Sequence, residues 1–308
     1  MTHKIDAWAR RQLVDYQSNK PGTIFKDEGF HITINEAYAI QDTMVKLRLQ
    51  KGETIAGYKV GCTGPGITKL FGMQGPIRGT LFNQEIHQSG ATLNLNQFDN
   101  LAIEAEMAFQ TGAGGVITSV FPVIELHNFV FRAPKKSLSE LIANNGLNKG
   151  IILPDQNWKG LPNIYGEKSV LSLEVNGAEI DAGNMWPMDG GPRSSLEWLT
   201  SHLAEYDLKM ASGNIVLGGT ALGMHLVQSG DQIVVKIGGK TAVQCRISVC
   251  YTIQWHSFAG ANFIAGIAHI GMKQAPCLVS KVQFKCIFVK ASLGVYLLFK
   301  TSSPPAAL

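Results

Sequence analysis

A chain of 308 residues with 45% hydrophobic and 16% charged residues can bury a full core without disulfide cross-links, as ordinary soluble proteins do. Five lysines and no acidic residue lie beyond residue 250, so the formal charge of +4 becomes about −1 for the first 250 residues. That part of the chain therefore carries no basic surface of the kind that binds nucleic acid.

The cysteines and the N-terminus both favour the cytoplasm. The five cysteines form no Cys-x-x-Cys pair, and their odd number and wide spacing are typical of a reducing compartment rather than of a zinc site. The first six residues carry charge and polarity where a secretory signal needs an apolar core. No apolar stretch near the C-terminus reaches the roughly 20 residues of a membrane helix. We expect a cytoplasmic protein without a membrane span.

Residues 1–54 predict a small helical region. Apolar residues at positions 37, 40, 44 and 47 recur at the three- and four-residue steps of an amphipathic helix. Asn35 is its predicted N-cap, and Gly52 is its predicted stop signal. A weaker pattern of the same kind covers residues 5–16. The prediction is two helices ahead of a first strand at residues 55–61.

Strands dominate residues 55–250. Asn176-Gly177 and Gly238-Gly239 each separate two strand-like runs and supply the positive φ angles of tight hairpin turns. Because helices and strands do not alternate strictly, the pattern favours an α+β fold with a large mixed β-sheet. Residues 251–308 differ, since they contain no acid and their aromatic residues show no periodicity. We assign this tail no role and expect its end, residues 302–305, to be disordered.

Three glutamates are the strongest indication of function. Residues 101–109 alternate with a period of two, so Glu104 and Glu106 point the same way, roughly 6.5 Å apart. A third acid, Glu125, lies inside the next apolar run, where a carboxylate is costly to bury without a cation or a proton. Carboxylate oxygens are hard ligands, which favours Mg²⁺ or Mn²⁺ over zinc. The alternative is that Glu104 and Glu106 are solvated residues on the wet face of a strand.

Three other polar residues, in or near predicted strands, are candidates for the site. Lys59 lies within an apolar strand and is either a substrate-facing ammonium group or a residue that reaches solvent. Thr220 follows two glycines and either binds a carboxylate or belongs to an ordinary glycine turn. His127 follows Glu125 by two residues. It is either a functional residue, as a proton carrier or a partner that supports the metal ligands, or a structural histidine.

Six blocks of sequence carry a family resemblance. They are Glu-Ala-Tyr-Ala-Ile-Gln at 36–41, Gly-Tyr-Lys-Val-Gly at 57–61, Gly-Thr-Leu-Phe at 79–82, Ile-Glu-Ala-Glu-Met-Ala-Phe at 103–109, Pro-Val-Ile-Glu at 122–125 and Gly-Asn-Ile-Val-Leu-Gly-Gly-Thr at 213–220. In this order they resemble the 2-keto-4-pentenoate hydratase and 4-oxalocrotonate decarboxylase family of the fumarylacetoacetate hydrolase superfamily. The resemblance spans roughly residues 30 to 250.

The resemblance implies a fold, a metal and a substrate class. It implies a rolled mixed β-sheet, a homo-oligomer, and Mg²⁺ or Mn²⁺ held by Glu104, Glu106 and Glu125. It also implies that Lys59 lies near the substrate and that Thr220 helps to bind a carboxylate. Substrates in the family are small 2-oxo acids or their dienols from aromatic-ring catabolism. A cation bound to both oxygens of such a substrate would stabilise its enolate.

Two departures from the family pattern leave the reaction open. Hydratases of the family usually have an acid where this chain has Ile77, and Asn144 replaces a second family acid. The leading hypothesis is a lyase that hydrates a 2-hydroxypenta-2,4-dienoate-like substrate. Alternatives are a 4-oxalocrotonate-type decarboxylase, in which Arg78 pairs with the second carboxylate, a non-catalytic oligomeric relative, or a carbon–carbon bond hydrolase.

Overall fold

The computed structural model describes residues 2–27, 29–64, 71, 75–160, 169–248, 254–255, 268–269, 285–291 and 294–300. The chain forms two compact units, Met1–Cys250 and Tyr251–Leu308. In the second unit, strand Gln254–Trp255 pairs with Ala268–His269, and Lys285–Ala291 pairs with Gly294–Lys300, both antiparallel. The predicted disordered end at 302–305 lies outside the described residues.

Two N-terminal helices form where the sequence predicts them. Helix α1 covers Thr2–Gln17 and helix α2 covers Ile34–Gln50. The N-cap of α2 is Thr33, so the prediction of Asn35 was wrong by two residues. The Thr33 hydroxyl accepts a hydrogen bond from the backbone N–H of Glu36, and the Glu36 carboxylate accepts one from the backbone N–H of Thr33. This reciprocal pair satisfies two helix-end donors, which a cap at Asn35 would not do.

Strands make up most of the first unit. Two shorter helices accompany them, α3 (Leu138–Ala143) and α4 (Pro192–Glu205). The described strands are β1 (Ile55–Gly61), β2 (Ile77–Phe82), β3 (Ile86–Gln88), β4 (Ala91–Asn94), β5 (Leu101–Thr111), β6 (Ile117–Asn128), β7 (Asn148–Leu153), β8 (Val170–Val175), β9 (Ala178–Asn184), β10 (Ile215–Leu217), β11 (His225–Leu226), β12 (Gln232–Ile237) and β13 (Lys240–Ser248).

The strands form two mixed sheets. The larger has the order β2-β1-β10-β5-β6-β7-β3, with β11 beside β5, and its β1–β10 and β3–β7 pairs are parallel. The smaller has the order β4-β13-β12-β8-β9. Both predicted hairpins are confirmed, with φ of 54° at Asn176, 81° at Gly177, 54° at Gly238 and 79° at Gly239. The α+β fold with a curled mixed sheet is therefore confirmed.

Strand β5 is covered on both faces. Leu101, Ile103 and Met107 pack against residues of the smaller sheet. Ala108, on the other face, packs against Phe121 of β6. The expectation of a half-buried strand was thus wrong, because the curled sheet encloses the face that carries the glutamates. Among the described residues, no helix combines the length and the apolar character needed to cross a bilayer.

Candidate active site

Strands β5 and β6 bring two predicted metal ligands face to face. In their antiparallel pairing Glu104 lies opposite Glu125, and Glu106 lies opposite Val123, so the three carboxylates share one face of the sheet. His127 follows Glu125 by two residues and shares that face. One ligand atom from each of Glu104, Glu125 and His127 lies within 4.8 Å of the other two. We call these three residues the carboxylate–histidine cluster.

The cluster is buried and its hydrogen bonding is incomplete. Nε2 of His127 lies 3.0 Å from Oε2 of Glu104 and 3.4 Å from Oε2 of Glu125. Glu125 is 0% exposed and His127 is 1% exposed. Within the described part of the chain, Oε2 of Glu125 and both ring nitrogens of His127 lack a hydrogen bond of acceptable geometry. Buried polar atoms of this kind are rare and call for a ligand, an ion or a water.

Lys59 extends from β1 into the same enclosed space. Its Nζ lies 2.6 Å from Oε1 of Glu125 and 3.3 Å from the carbonyl oxygen of Gly146. Gly79 stands opposite Lys59 on β2. A Cβ atom added at Gly79 would lie 2.9 Å from Cγ of Lys59 and 2.8 Å from the carbonyl oxygen of Asn145. The glycine thus leaves the space that the lysine side chain occupies.

Asn148, at the start of β7, is a site residue that the sequence did not indicate. Its Nδ2 donates a hydrogen bond to Oε1 of Glu125 at 2.7 Å. Lys59 and Asn148 therefore both hold Oε1, while Oε2 faces Glu104 and His127. The pairing of β6 with β7 shifts between Leu126 and His127, and a local sequence pattern gives no signal of such a shift.

Glu106 lies beside the cluster rather than within it. Its Oε1 accepts a hydrogen bond from the backbone N–H of Gly219, and the residue is 2% exposed. Burial and the neighbouring charge of Glu125 raise the pKa of Glu106 well above its usual value. The structure thus brings together Glu104 and Glu125 of the predicted ligands, with Glu106 next to them.

The buried charges perturb one another. Burial alone would lower the pKa of Lys59, but Glu125, Glu104 and Glu106 raise it above the ordinary value. Burial would raise the pKa of Glu125, but His127 and Lys59 lower it. Burial would lower the pKa of His127, but Glu125 and Glu104 raise it. The site therefore stabilises an ammonium group beside at least one ionised carboxylate.

The donor set fits a divalent cation. Two carboxylate oxygens and an imidazole nitrogen converge, and the buried Oε2 of Glu125 lacks a hydrogen bond in the described chain. Oxygen donors suit Mg²⁺ and Mn²⁺, and imidazole suits transition metals. A cation bound there would satisfy buried atoms that have no hydrogen bond within the described residues.

Thr220 is not directed at the cluster. Its hydroxyl donates to the carbonyl oxygen of Ala105 at 2.7 Å and accepts from the backbone N–H of Leu222 at 3.0 Å. These bonds hold the loop after β10 against β5. A substrate carboxylate would have to compete with the Ala105 carbonyl oxygen for the hydroxyl hydrogen, and the contact of Thr220 with substrate stays a prediction.

The structure also separates Arg78 from the site. Arg78 pairs with Val60 across the β1–β2 hairpin, one position from the Lys59–Gly79 pair, so its side chain leaves the opposite face. The guanidinium group donates to Gln41 and to Asp42, each at 2.8 Å, and is 0% exposed. The carboxylate partner of Arg78 in the structure is Asp42, and the pairing of Arg78 with a substrate carboxylate stays a prediction.

Comparisons with known proteins agree with the sequence blocks. No protein-family model matches the chain. The chain is 27% identical over 235 residues to a 2-oxo-hept-4-ene-1,7-dioate hydratase of Escherichia coli, a match that covers 70% of this chain and 87% of the hydratase. It is 26% identical over 227 residues to a 4-oxalocrotonate decarboxylase of Pseudomonas putida, covering 70% of this chain and 86% of the decarboxylase.

A solved structure shows the same fold. It is a 4-oxalocrotonate decarboxylase from Pseudomonas putida G7, complexed with magnesium and adipate. The two structures align with a TM-score of 0.72 at 23% identity, over 80% of this chain and 98% of the decarboxylase. The resemblance that the sequence indicated is confirmed: this chain is similar to curated 2-keto-4-pentenoate hydratases and 4-oxalocrotonate decarboxylases, and it shares the fold of the solved decarboxylase.

Proposed function

We propose that this chain is a divalent-metal-dependent lyase that hydrates a 2-hydroxypenta-2,4-dienoate-like 2-oxo acid. One observation carries the proposal: Oε1 of Glu125 is held by Lys59 and Asn148, while its buried Oε2, which lies near His127, has no hydrogen bond among the described residues. An ordinary structural ion pair has no reason to leave a carboxylate oxygen in that state.

Mg²⁺ or Mn²⁺ is the proposed metal, held by Glu104, Glu106 and Glu125. A 4-oxalocrotonate decarboxylase with this fold has been solved with magnesium, which supports a divalent ion. The bound cation would stabilise the negative charge of the enolate form of a 2-oxo acid. For Glu106 to join the ligands, its carboxylate would have to leave the backbone N–H of Gly219.

Lys59 is the proposed catalytic residue. Its ammonium group is buried at the cluster, and the surrounding carboxylates raise its pKa, so it holds a proton at Nζ. From that position the ammonium orients and polarises an oxygen of the substrate.

Every residue of the proposed site lies between Lys59 and Gly219, so we propose residues 55–250 as the catalytic region. We also propose that the chain forms a homo-oligomer.

Decarboxylation of a 4-oxalocrotonate-like diacid is the second candidate. Ile77, which is 2% exposed, occupies the position where family hydratases usually have an acid. Its side chain extends beside Lys59, since both would approach a Cβ atom added at Gly61. A proton donor for hydration is missing at that position, which favours the reaction that releases carbon dioxide.

Product assays separate the candidates. The full-length chain is incubated with Mn²⁺ and either 2-hydroxypenta-2,4-dienoate or 4-oxalocrotonate, and the products are identified. Loss of the dienoate with formation of a hydroxylated 2-oxo acid supports the hydratase, and release of carbon dioxide from the diacid supports the decarboxylase. Metal-dependent binding of oxalate without turnover of either substrate would favour a non-catalytic relative.

A further inference from the structure

We propose that Nε2 of His127 is a direct ligand of the divalent cation, together with Glu104 and Glu125, and that the site consequently prefers Mn²⁺ to Mg²⁺. The inference rests on the proposed function to the extent that the cluster binds a divalent cation. It adds a ligand that the carboxylate trio does not contain.

The strand geometry presents the imidazole to the same point as the carboxylates. Glu125 and His127 are alternate residues of β6, and Glu104 lies directly opposite Glu125 on β5. Nε2 is 3.0 Å from Oε2 of one glutamate and 3.4 Å from Oε2 of the other. Three atoms with lone pairs thus surround one position, whereas the Glu106 carboxylate is engaged by the backbone N–H of Gly219.

Burial excludes a solvated role for the ring. His127 is 1% exposed, and neither ring nitrogen has a hydrogen bond of acceptable geometry within the described chain, although Nε2 lies close to Oε2 of Glu104. An unpaired buried polar group destabilises the folded chain. Coordination of Nε2 to a cation would relieve that destabilisation and that of Oε2 of Glu125 together.

Ligand chemistry then sets the metal preference. Mg²⁺ takes oxygen ligands and retains its waters. Mn²⁺ also takes carboxylate oxygens, but as a transition-metal ion it accepts a nitrogen ligand more readily than Mg²⁺ does. With His127 as a ligand, we expect Mn²⁺ to bind at least about tenfold more tightly than Mg²⁺. The substitution His127→Gln replaces the nitrogen donor by an amide oxygen and should reduce that ratio towards one.

Electron spin-echo envelope modulation of the Mn²⁺-loaded full-length chain tests the inference directly. A bound imidazole produces ¹⁴N modulation, which we expect in the wild type and not in His127→Gln. His225→Gln is the matched control, because His225 lies outside the cluster and pairs with Asp181 at 2.9 Å. This control should retain the modulation.

Isotope labelling keeps the test decisive if His127→Gln fails to fold. In wild-type protein with ¹⁵N-labelled histidine, the ¹⁴N signal should be replaced by a ¹⁵N signal. One bound Mn²⁺ per chain without histidine modulation would overturn the inference and leave the proposed function standing. Failure of Mn²⁺ to bind at all would overturn both.

Discussion

Strands β1 and β2 bury one basic side chain on each face of their pair, and the two side chains have different surroundings. Lys59 leaves one face and enters the site, while Arg78 leaves the other face and packs against α2. They lie one position apart in the same pairing. The contrast separates a buried charge that stabilises the fold from one that belongs to a reactive site.

Arg78 has a nearly complete set of partners. Asp42 and Gln41 accept its hydrogen bonds, and the rings of Tyr38 and Tyr206 lie 4.8 and 5.1 Å from its guanidinium carbon. One anion balances one cation, and Arg stacks well on aromatic faces. Nothing in this arrangement leaves an anionic atom for a ligand.

Lys59 is surrounded by more negative charge than it can balance. Glu125 lies 2.6 Å away, and Glu104 and Glu106 also raise its pKa. The excess negative charge, together with Oε2 of Glu125, which has no hydrogen bond among the described residues, would hold a divalent cation. Excess of buried acid over base, rather than burial of charge itself, therefore marks the site.

The largest effect is expected from Glu125→Gln. The substitution removes a charge that faces both Lys59 and the proposed cation, so turnover should decrease by a factor of about 10² to 10³ or more, with weaker Mn²⁺ binding. Substrate kinetics and calorimetry with Mn²⁺ measure the two effects. Glu179→Gln, on the exposed end of β9, is the control that should leave both unchanged. Wild-type turnover in Glu125→Gln would remove this residue from the chemistry.

Arg78→Met should reduce stability and spare the site. It leaves the half-buried Asp42 without its partner, which we expect to lower the free energy of unfolding by about 1–3 kcal/mol. Mn²⁺ affinity of the folded protein should not change. Urea unfolding combined with Mn²⁺ titration measures both, and the double variant with Asp42→Asn should lose less than the two single losses combined. Loss of substrate affinity in folded Arg78→Met would return this residue to the substrate site.

Asn148→Ala should have a moderate effect on the site. The asparagine donates a hydrogen bond of 2.7 Å to Oε1 of Glu125. When the asparagine side chain is removed, Lys59 still pairs with that oxygen. Loss of a residue that orients a ligand typically costs about 10-fold to 100-fold in metal affinity or activity, and we expect the lower end. Calorimetry with Mn²⁺ and steady-state kinetics measure it. Asn148→Ser, which retains a hydrogen-bond donor, should recover part of the loss.

The smallest effect is expected from His202, which lies near Arg78 and should make stability depend on pH. Burial and the charge of Arg78 lower the pKa of His202 to about 4. The unfolded chain therefore binds a proton before the folded chain does, and stability should fall as the pH decreases from about 6.5 towards 4. Urea unfolding at several pH values measures the slope. His202→Gln should flatten it, and an unchanged slope would contradict the assignment.

The sequence predicted which side chains share a strand face, because that follows from alternation along one strand. It did not predict contacts that depend on how two strands pair. The period of two put Glu104 and Glu106 on one face, and the apolar run around Glu125 indicated that this acid is buried. Both features follow from neighbours in the chain. Asn148 reaches Glu125 through a shifted β6–β7 pairing, and long-range pairing of that kind leaves no local signal.

Competing partners explain the other differences. No local pattern indicated that Asp42, on a helix distant in the chain, would be the carboxylate that pairs with Arg78. Likewise the Thr220 hydroxyl bonds to the Ala105 carbonyl on β5. A polar side chain near a strand end can be recognised from sequence, but its partner is decided by which elements fold next to it.

Anomalous diffraction from crystals of the full-length chain grown with Mn²⁺ tests the central claim most directly. Data recorded on both sides of the manganese absorption edge locate the ion independently of any assumed ligand. The account predicts one anomalous peak within bonding distance of Glu104 and Glu125. Well-ordered carboxylates at both positions with no peak between them would contradict it.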